Sequence, residues 1–440
     1  MEYPAYQKYK ASEIDWLGNI PDHWLVASIK RLTPVFRGAS PRPIQDPKYF
    51  DDDGEYAWVR IADVTQNDHY LVSTTQRLSE LGQSFSVSLQ PGALFLSIAG
   101  SVGKPMITKI KCCIHDGFVY FPFLEQNPEF LFYIFECGQP YLGLGKLGTQ
   151  LNLNTDTVGD VKICLPTKDE LQKIVLFLHH KTAQIDLLIE KKKALLEKLN
   201  EKRMALITQA VTKGLNPDAP MKPSGVDWLG DVPTHWQVLS IKRLTPVRRG
   251  ASPRPIQDPK YFDADGEYSW VRIADVTAND HYLKTTTQQL SELGLSLSVP
   301  LQPGQLFLSI AGSVGKPMIT DIKCCIHDGF VYFPYIEQEP EFFYYIFYSG
   351  QPYLGLGKLG TQLNLNTDTV GGIKIGLPPI DEQRLIVDYL HGEMSKIDKM
   401  CEKINAAISC LIEYRTALIT AAVTGKIDVR GIDIPSQEAA

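Results

Sequence analysis

The 440-residue chain is poor in the signatures of catalysis. It contains no C-x-x-C pair, no H-E-x-x-H, and no N-P-P-Y or N-P-P-F amino-methyltransferase signature. "GSVGK" from Gly100 to Lys104 falls short of a phosphate-binding P-loop: two more residues are needed between its glycines, and Pro105 stands where a hydroxyl should follow the lysine. His69, His115 and their copies His281 and His327 lack ligand spacing and read as ordinary structural histidines, so no metal site and no catalytic constellation are expected. Four of the eight cysteines form adjacent pairs, Cys112-Cys113 and Cys324-Cys325, inside apolar runs, which reads as buried thiols of an intracellular protein. No uninterrupted apolar run approaches the roughly 18 residues of a membrane span. The N-terminus is polar and aromatic, unlike a signal peptide, so a cytoplasmic location without membrane association is expected. Positive charge is also in short supply: 44 Lys and Arg against 50 Asp and Glu give −6, which counts against nucleic-acid binding by bulk charge and leaves room for a local basic face.

What the chain does have is a long internal repeat. "DWLGNIPDHW" from Asp15 returns as "DWLGDVPTHW" from Asp227, an offset of 227 − 15 = 212, and the offset holds without insertion through the second copy. From Ser28 to Asp160 about 113 of 133 positions match their copies; from Leu171 to Thr212 only about 19 of 42 do. A unit of that length is a domain with its own core, not a solenoid repeat. The near-duplicate parts read as mixed α/β with much strand, as in "YAWVRIADV", "GALFLSIAG" and "CCIHDGFVYFPF". A short helix is expected at "NPEFLFYIFECG", capped by Asn127 ahead of Pro128.

The diverged tails are nearly free of Gly and Pro. Leu178, Ile185, Leu199 and Leu206 recur at sevens in the first, with Lys192 interrupting, and Leu390, Ile397, Ile404, Leu411 and Leu418 in the second. Ile189, Leu195 and Leu196, and Met400, Ala407 and Ile408, are expected to complete the heptads. Some 42 helical residues extend roughly 60 Å, and one such helix cannot hide its stripe from water. Each tail is therefore the expected partner of the other. The fold class is α+β: two near-identical mixed α/β domains at 1–168 and 213–380, joined by antiparallel coiled-coil helices at 169–212 and within 381–440, with approximate two-fold symmetry.

"GLGKLGTQLNLNT" runs from Gly143 to Thr155 and again from Gly355 to Thr367. Its glycines fit G-x-G-x-x-G, but a dinucleotide loop must follow a strand and open a helix; here a helix-like run precedes it and turn and strand formers follow. Four polar loops remain. They carry Arg37, Ser40 and Arg42; Arg60 and Thr65; Ser101 and Lys104; and Lys146, Thr149, Gln150, Asn152 and Asn154. Their copies carry Arg249, Ser252 and Arg254; Arg272 and Thr277; Ser313 and Lys316; and Lys358, Thr361, Gln362 and Asn364. Glycine lets a backbone approach phosphates, Lys and Arg neutralise them, and Gln, Asn and Arg offer paired donors and acceptors to base edges, so these loops suit DNA. The substitutions between copies, among them Phe36 to Arg248, Val72 to Lys284, Ser88 to Pro300 and Lys109 to Asp321, spare the amides and hydroxyls of the four loops.

The order "RGASPRP", "WVRIADVT", "LFLSIAGSVGK", "GKLGTQLNLNTDTVGDVKICLP", then "KDE" and a long helix, all present twice, resembles the specificity (S) subunit of type I restriction-modification systems. The resemblance spans essentially the whole chain. It implies a non-catalytic DNA reader with two target recognition domains, each contacting half of a split double-stranded site, held apart by helices that act as a ruler. It implies two methyltransferase (M) subunits, which use S-adenosylmethionine, and, in complexes that also cleave, restriction (R) subunits, which use ATP and Mg; this chain itself needs no cofactor. Members commonly carry two dissimilar domains, whereas these are near duplicates, so the site is expected to be a bipartite palindrome. Two other readings remain open on the residues alone: a coiled-coil protein-binding scaffold without DNA, and an enzyme that modifies DNA itself.

Overall fold

A computed structural model describes residues 3–124, 126–141, 153–354, 356 and 365–434. The chain divides into two compact units, one of Met1–Lys192 with Asn405–Ala440, the other of Lys193–Ile404. Both cuts fall inside the long helices, Lys168–Lys213 and Ile380–Val423, so each unit takes one part of each helix.

In the first unit two sheets are stacked. The five-stranded sheet runs in the order Phe36–Arg37, Phe118–Tyr120, Leu94–Ser97, Pro105–Thr108, Tyr70–Leu71, antiparallel except for its last pair. The four-stranded sheet runs Gln76–Leu78, Tyr56–Val59, Cys112–Ile114, Val87–Leu89, with its central pair parallel. Side chains alternate across a strand, so Phe95, Met106 and Phe118 meet Val59, Cys112 and Ile114 between the sheets. Leu94, Leu96, Ile107 and Val119 face the other way, against the helix Pro128–Glu136 and the long helix. Every residue of Leu94–Ser97 is buried, the pattern of a strand covered on both faces. The second unit repeats both sheets at the same offset, in the same order.

Local sequence explains the details. Asn127 Oδ1 accepts from the Glu129 amide at 2.9 Å and caps the expected short helix. "YAWVRIADV" is strand only to Val59; Ile61–Gln66 is helical because Asp63 accepts from the Arg60 backbone amide at 2.8 Å, and this cap prevails over the β-prone sequence. Likewise Thr155–Asp160, expected as turn and strand, forms a short helix through reciprocal capping by Asn154 and Thr157, followed by strand Lys162–Leu165. Cys112 and Cys113 are buried, and burial pushes their thiols up to about 12 and about 11; of all eight cysteines, only Cys410 is exposed.

The roots of the helices are tied down by the opening motif. Strand Leu25–Ser28 pairs antiparallel with Lys162–Leu165, and His23 Nε2 lies 2.8 Å from Glu170 in the first turn of the long helix. His235 and Trp236 meet Glu382 in the same way, at 2.7 and 3.1 Å. The chain's end closes on its beginning: the Asp428 amide donates to the Pro4 carbonyl at 2.7 Å, and Gly425, at φ +70°, presses so close to Pro21 that a Cβ would sit 2.4 Å from it.

Within each unit the two helix parts run antiparallel. Leu178, Ile185, Leu390, Ile397 and Leu418 are buried; Leu199, Leu206, Ile404 and Leu411 are half-buried. Leu195 and Met400, expected in the seam, face solvent, because the seam takes the residue four after each seventh position rather than three after: Thr182, Ile189, Leu196 and Ile408. Arginines occupy two of these places. Arg415 Nε donates to Asp186 at 2.9 Å and its Nη1 to Glu136 at 3.0 Å; at the equivalent place Arg203 pairs with Asp398. A polar residue at a seam position fixes helix register, since any slip leaves its charge buried and unpaired. The helix Ile380–Val423 is long and apolar enough in composition to cross a membrane, but its final turns lie in the core of the first unit and Arg415 is ion-paired.

Arg415→Ala strands the largely buried Glu136 beside an apolar seam and is expected to lower stability by about 3 kcal/mol. Arg203→Ala, whose partner Asp398 is half exposed, should lose roughly 1 kcal/mol or less. Urea unfolding of the full chain measures both; equal losses would contradict the role given to Glu136.

Candidate nucleic-acid interface

The outer face of the four-stranded sheet carries the site. Because Ala57 and Val59 point between the sheets, Trp58 points outward, packed with Tyr56, Leu78, Cys113 and Phe50. It floors a cleft of about 870 Å³ walled by Arg42, Gln45, Arg60, Gln76, His115 and Asp116. The second unit has an equivalent cleft of about 900 Å³ over Trp270, with Gln257, Arg272 and Gln288 on its walls.

Two of the four predicted loops converge here. Asp116 organises the first: Ser40 Oγ donates to its Oδ1 and Arg42 Nη2 to its Oδ2, both at 2.9 Å, while Arg37 Nε donates to its carbonyl. Burial alone would push the Asp116 carboxyl up, but the Ser40 hydroxyl and the Arg42 guanidinium outweigh it and hold it below the usual carboxylate range. Ser252, Arg254 and Arg249 treat Asp328 identically. Gly38 is obligatory, since a Cβ there would lie 2.3 Å from the His115 carbonyl. Arg60 comes from the second loop, aimed by Asp63 and Thr75; Arg272 is held by Asp275 and Thr287. His115 is kept neutral by burial, and its Nδ1 accepts from the Gly117 amide at 2.8 Å, so Nε2 carries the proton. The cleft thus offers arginine and imidazole donors, two amides and the carboxylates of Asp51, Asp52 and Asp116 over an aromatic floor, the inventory needed to read a polar planar group.

The other predicted residues lie elsewhere. Thr65 and Ser101 hydrogen-bond to each other at 3.0 Å on the far end of the helix Ile61–Gln66, as Thr277 and Ser313 do at 3.3 Å. Lys104 is half-buried. Lys316 donates to the carbonyls of Val276 and Asn279 at 2.7 and 2.8 Å, closing the end of the helix Ile273–Ala278, and burial pushes its pKa down. Lys146, Thr149, Gln150 and Asn152, and Lys358, Thr361, Gln362 and Asn364, lie outside the described residues. Their loop departs from Tyr141, whose hydroxyl donates to the Gly103 carbonyl at 3.1 Å, and in the copy from Tyr353, which bonds Gly315 at 2.9 Å.

Sequence reasoning missed Trp58, Gln76, His115 and Asp116. The signal available was the period-two alternation, which places Trp58 opposite Ala57 and Val59; nothing local links it to Asp116, 58 residues away. It also passed over two differences that bear on the clefts: Asp52 lines the first, where the second has Ala264, and Gln289 replaces Arg77 on the second. His69 and His281, read as ordinary, each stand beside a glutamate and a helix histidine, forming the groups among the described residues able to hold a metal.

Two equivalent polar clefts, each on a domain rooted to a helix pair, define a two-headed recognition protein. The family described as type I restriction modification DNA specificity domain matches residues 21–198 and again 233–411, and the chain belongs to it: this is a specificity subunit of a type I restriction-modification system, with two DNA recognition domains. A chain from work on the structural basis underlying complex assembly and conformational transition of the type I R-M system is similar over 93% of this chain and 99% of its own, at 16% identity and a TM-score of 0.72. The HsdS subunit from Thermoanaerobacter tengcongensis aligns over 93% of this chain and 98% of its own, at 16% identity and a TM-score of 0.49. The first shares the α+β fold of duplicated domains and long helices.

Asp116→Ala is expected to release Arg42 and Ser40 and to speed amide hydrogen exchange over residues 37–43, while changing global stability little, because the pair is half exposed. Acid should do the same to the native chain. A depressed carboxyl contributes its stabilisation above the ordinary Asp value of about 3.9 and loses it as pH falls through the lower folded value. Unchanged exchange in the variant would remove Asp116 from this role.

Proposed function

We propose that each cleft reads one half of a bipartite DNA site, and that the two halves are reverse complements. The carrying observation is the duplication of one reading surface: Arg60, Gln45 and Gln76 over Trp58, and Arg272, Gln257 and Gln288 over Trp270. Arginine and amide side chains discriminate bases by paired hydrogen bonds, each worth about 1–3 kcal/mol against a wrong base. Loops bearing Lys146, Gln150 and Asn152, and Lys358, Gln362 and Asn364, complete the contact, the lysines on phosphates. The unlike wall residues Asp52 and Ala264 alter the charge of the two clefts, so the halves share a code but differ in affinity.

The subunit itself does no chemistry in this reading. Two methyltransferase subunits dock along the helix pair, whose outer faces expose Leu187, Leu188, Ile412 and Tyr414, and methylate an adenine in each half with S-adenosylmethionine. Restriction subunits driven by ATP and Mg join them to cleave unmethylated DNA, in the cytoplasm. The acidic chain binds DNA weakly alone, and the assembled complex binds tightly with an affinity that falls as salt rises.

Co-expression with the cognate methyltransferase subunit, followed by mapping of modified adenines, is expected to return a consensus with dyad symmetry; an asymmetric consensus refutes the palindrome. Arg60→Ala with Arg272→Ala should relax or abolish modification while the complex still assembles, and Gln150→Ala with Gln362→Ala should weaken or relax it. Full, unaltered methylation in both double variants would move the reading surface elsewhere. A complex that assembles but shows no salt-sensitive binding to duplex DNA would favour the scaffold reading instead.

A further inference from the structure

At the junction of each recognition domain with its long helix stands a cluster that DNA reading does not use. His69 precedes the edge strand Tyr70–Leu71, Glu129 lies in the first turn of Pro128–Glu136, and His179 projects from the long helix. Glu129 Oε2 is 2.6 Å from His69 Nε2 and 3.3 Å from His179 Nε2, and Tyr70 donates to Oε1 at 2.8 Å. In the second unit Glu341 Oε2 is 2.6 Å from His281 Nε2 and 3.5 Å from His391 Nε2, with Tyr282 on Oε1.

We propose that each unit binds one divalent transition-metal ion of the zinc class, through His69, Glu129 and His179 in the first and His281, Glu341 and His391 in the second. The donor atoms of each trio lie within 4.8 Å of one another. Metal bonds of about 2.0–2.1 Å to tetrahedral ligands set neighbouring donors roughly 3.3 Å apart; the glutamate–histidine spacings of 2.6–3.5 Å already bracket that value, and the two imidazole nitrogens of each trio, within 4.8 Å of each other, close to it by rotation of the rings. Packing holds the imidazoles in place: His69 stacks on Phe132 at 3.7 Å and on His179 at 5.2 Å, and His281 stacks on Tyr344 at 3.7 Å. Each tyrosine hydroxyl occupies one carboxylate oxygen and turns the other towards the histidines, as outer-sphere partners of metal ligands do. His391 Nε2 is shielded from solvent and makes no hydrogen bond among the described residues.

The two chain copies supply a second argument. From Leu176 to Gln184 the helix keeps only Leu178 and His179 in its copy; His180 has become Gly392. Leu178 is a core residue, whereas His179 is one of the few polar positions of this stretch to persist, and in both copies its ring faces the histidine and glutamate of the cluster. Two neutral imidazoles and one carboxylate leave a fourth position for water, and an ion held there would rivet sheet edge, short helix and long helix together, fixing how the domain stands on its spacer.

The test uses the untagged full chain, stripped with EDTA and titrated with Zn²⁺ by calorimetry, with Co²⁺ absorption reporting the coordination number. The wild type should take up two ions per chain and melt at a higher temperature with Zn²⁺ present. His179→Ala should reduce uptake to one, and His179→Ala with His391→Ala to none, abolishing the thermal shift. His179→Gln with His391→Gln keeps a hydrogen-bond donor beside each glutamate and guards against misfolding; it should fold normally and remain insensitive to Zn²⁺. A folded wild type that binds no ion, or a double variant that still binds two, overturns the proposal.

Discussion

The structure depends on the antiparallel pairing of its long helices. Neither helix could persist alone in water, since its apolar stripe would remain exposed. Each unit therefore borrows helix from both repeats: Leu418, Ile419 and Val423 from the chain's end complete the core that Ile174, Phe177 and Leu178 begin. Ile207 and Val211 do the same beside Ile386 and Leu390. Arg415 with Asp186 and Arg203 with Asp398 then specify the register. Those four residues, paired by the repeat, are the same in both helices, where fewer than half of the positions match, and each arginine lies half-buried at a seam position facing its aspartate.

The recognition clefts follow from the alternation of a single strand. In Tyr56–Val59, Ala57 and Val59 close the core between the sheets, and the same geometry turns Trp58 to the outside as the floor of the cleft. Asp116 then draws the "RGASPRP" loop across the sheet and aims its arginine. Arg60 is placed by the helix cap that ends the strand. Residues of the sheet and of the loop beside it thus position the loop donors by the same contacts in both units.

Duplication and divergence separate the two tasks of the chain. The cleft and its supports are preserved almost residue for residue. The helices need only complementary seams, and substitution is free wherever the seam, the arginine pairs or the histidine cluster is not touched. The wall difference between Asp52 and Ala264 is an exception: it changes the charge of one wall and leaves the arginine, the glutamines and the aromatic floor alike.

Much was legible before folding: the 212-residue repeat, the long helices and their sevenfold apolar positions, the cap at Asn127, and the polar loops. These are local or periodic properties, carried by short-range spacing and by comparison of the chain with itself. The register of the intermediate seam positions was not legible, because three and four residues are equally near on an isolated helix and only a partner chooses between them. Nor were the helices at Ile61–Gln66 and Thr155–Asp160, where a few capping bonds prevail over strand propensity. Family, duplication and the chemistry available to the loops are all carried by the order of residues along the chain. Tertiary structure alone decided that Arg42, Arg60, Trp58 and Asp116 share a cleft, and that His69, Glu129 and His179 share a centre. Those contacts join residues tens of positions apart, and only sheet pairing and helix packing bring them within bonding distance.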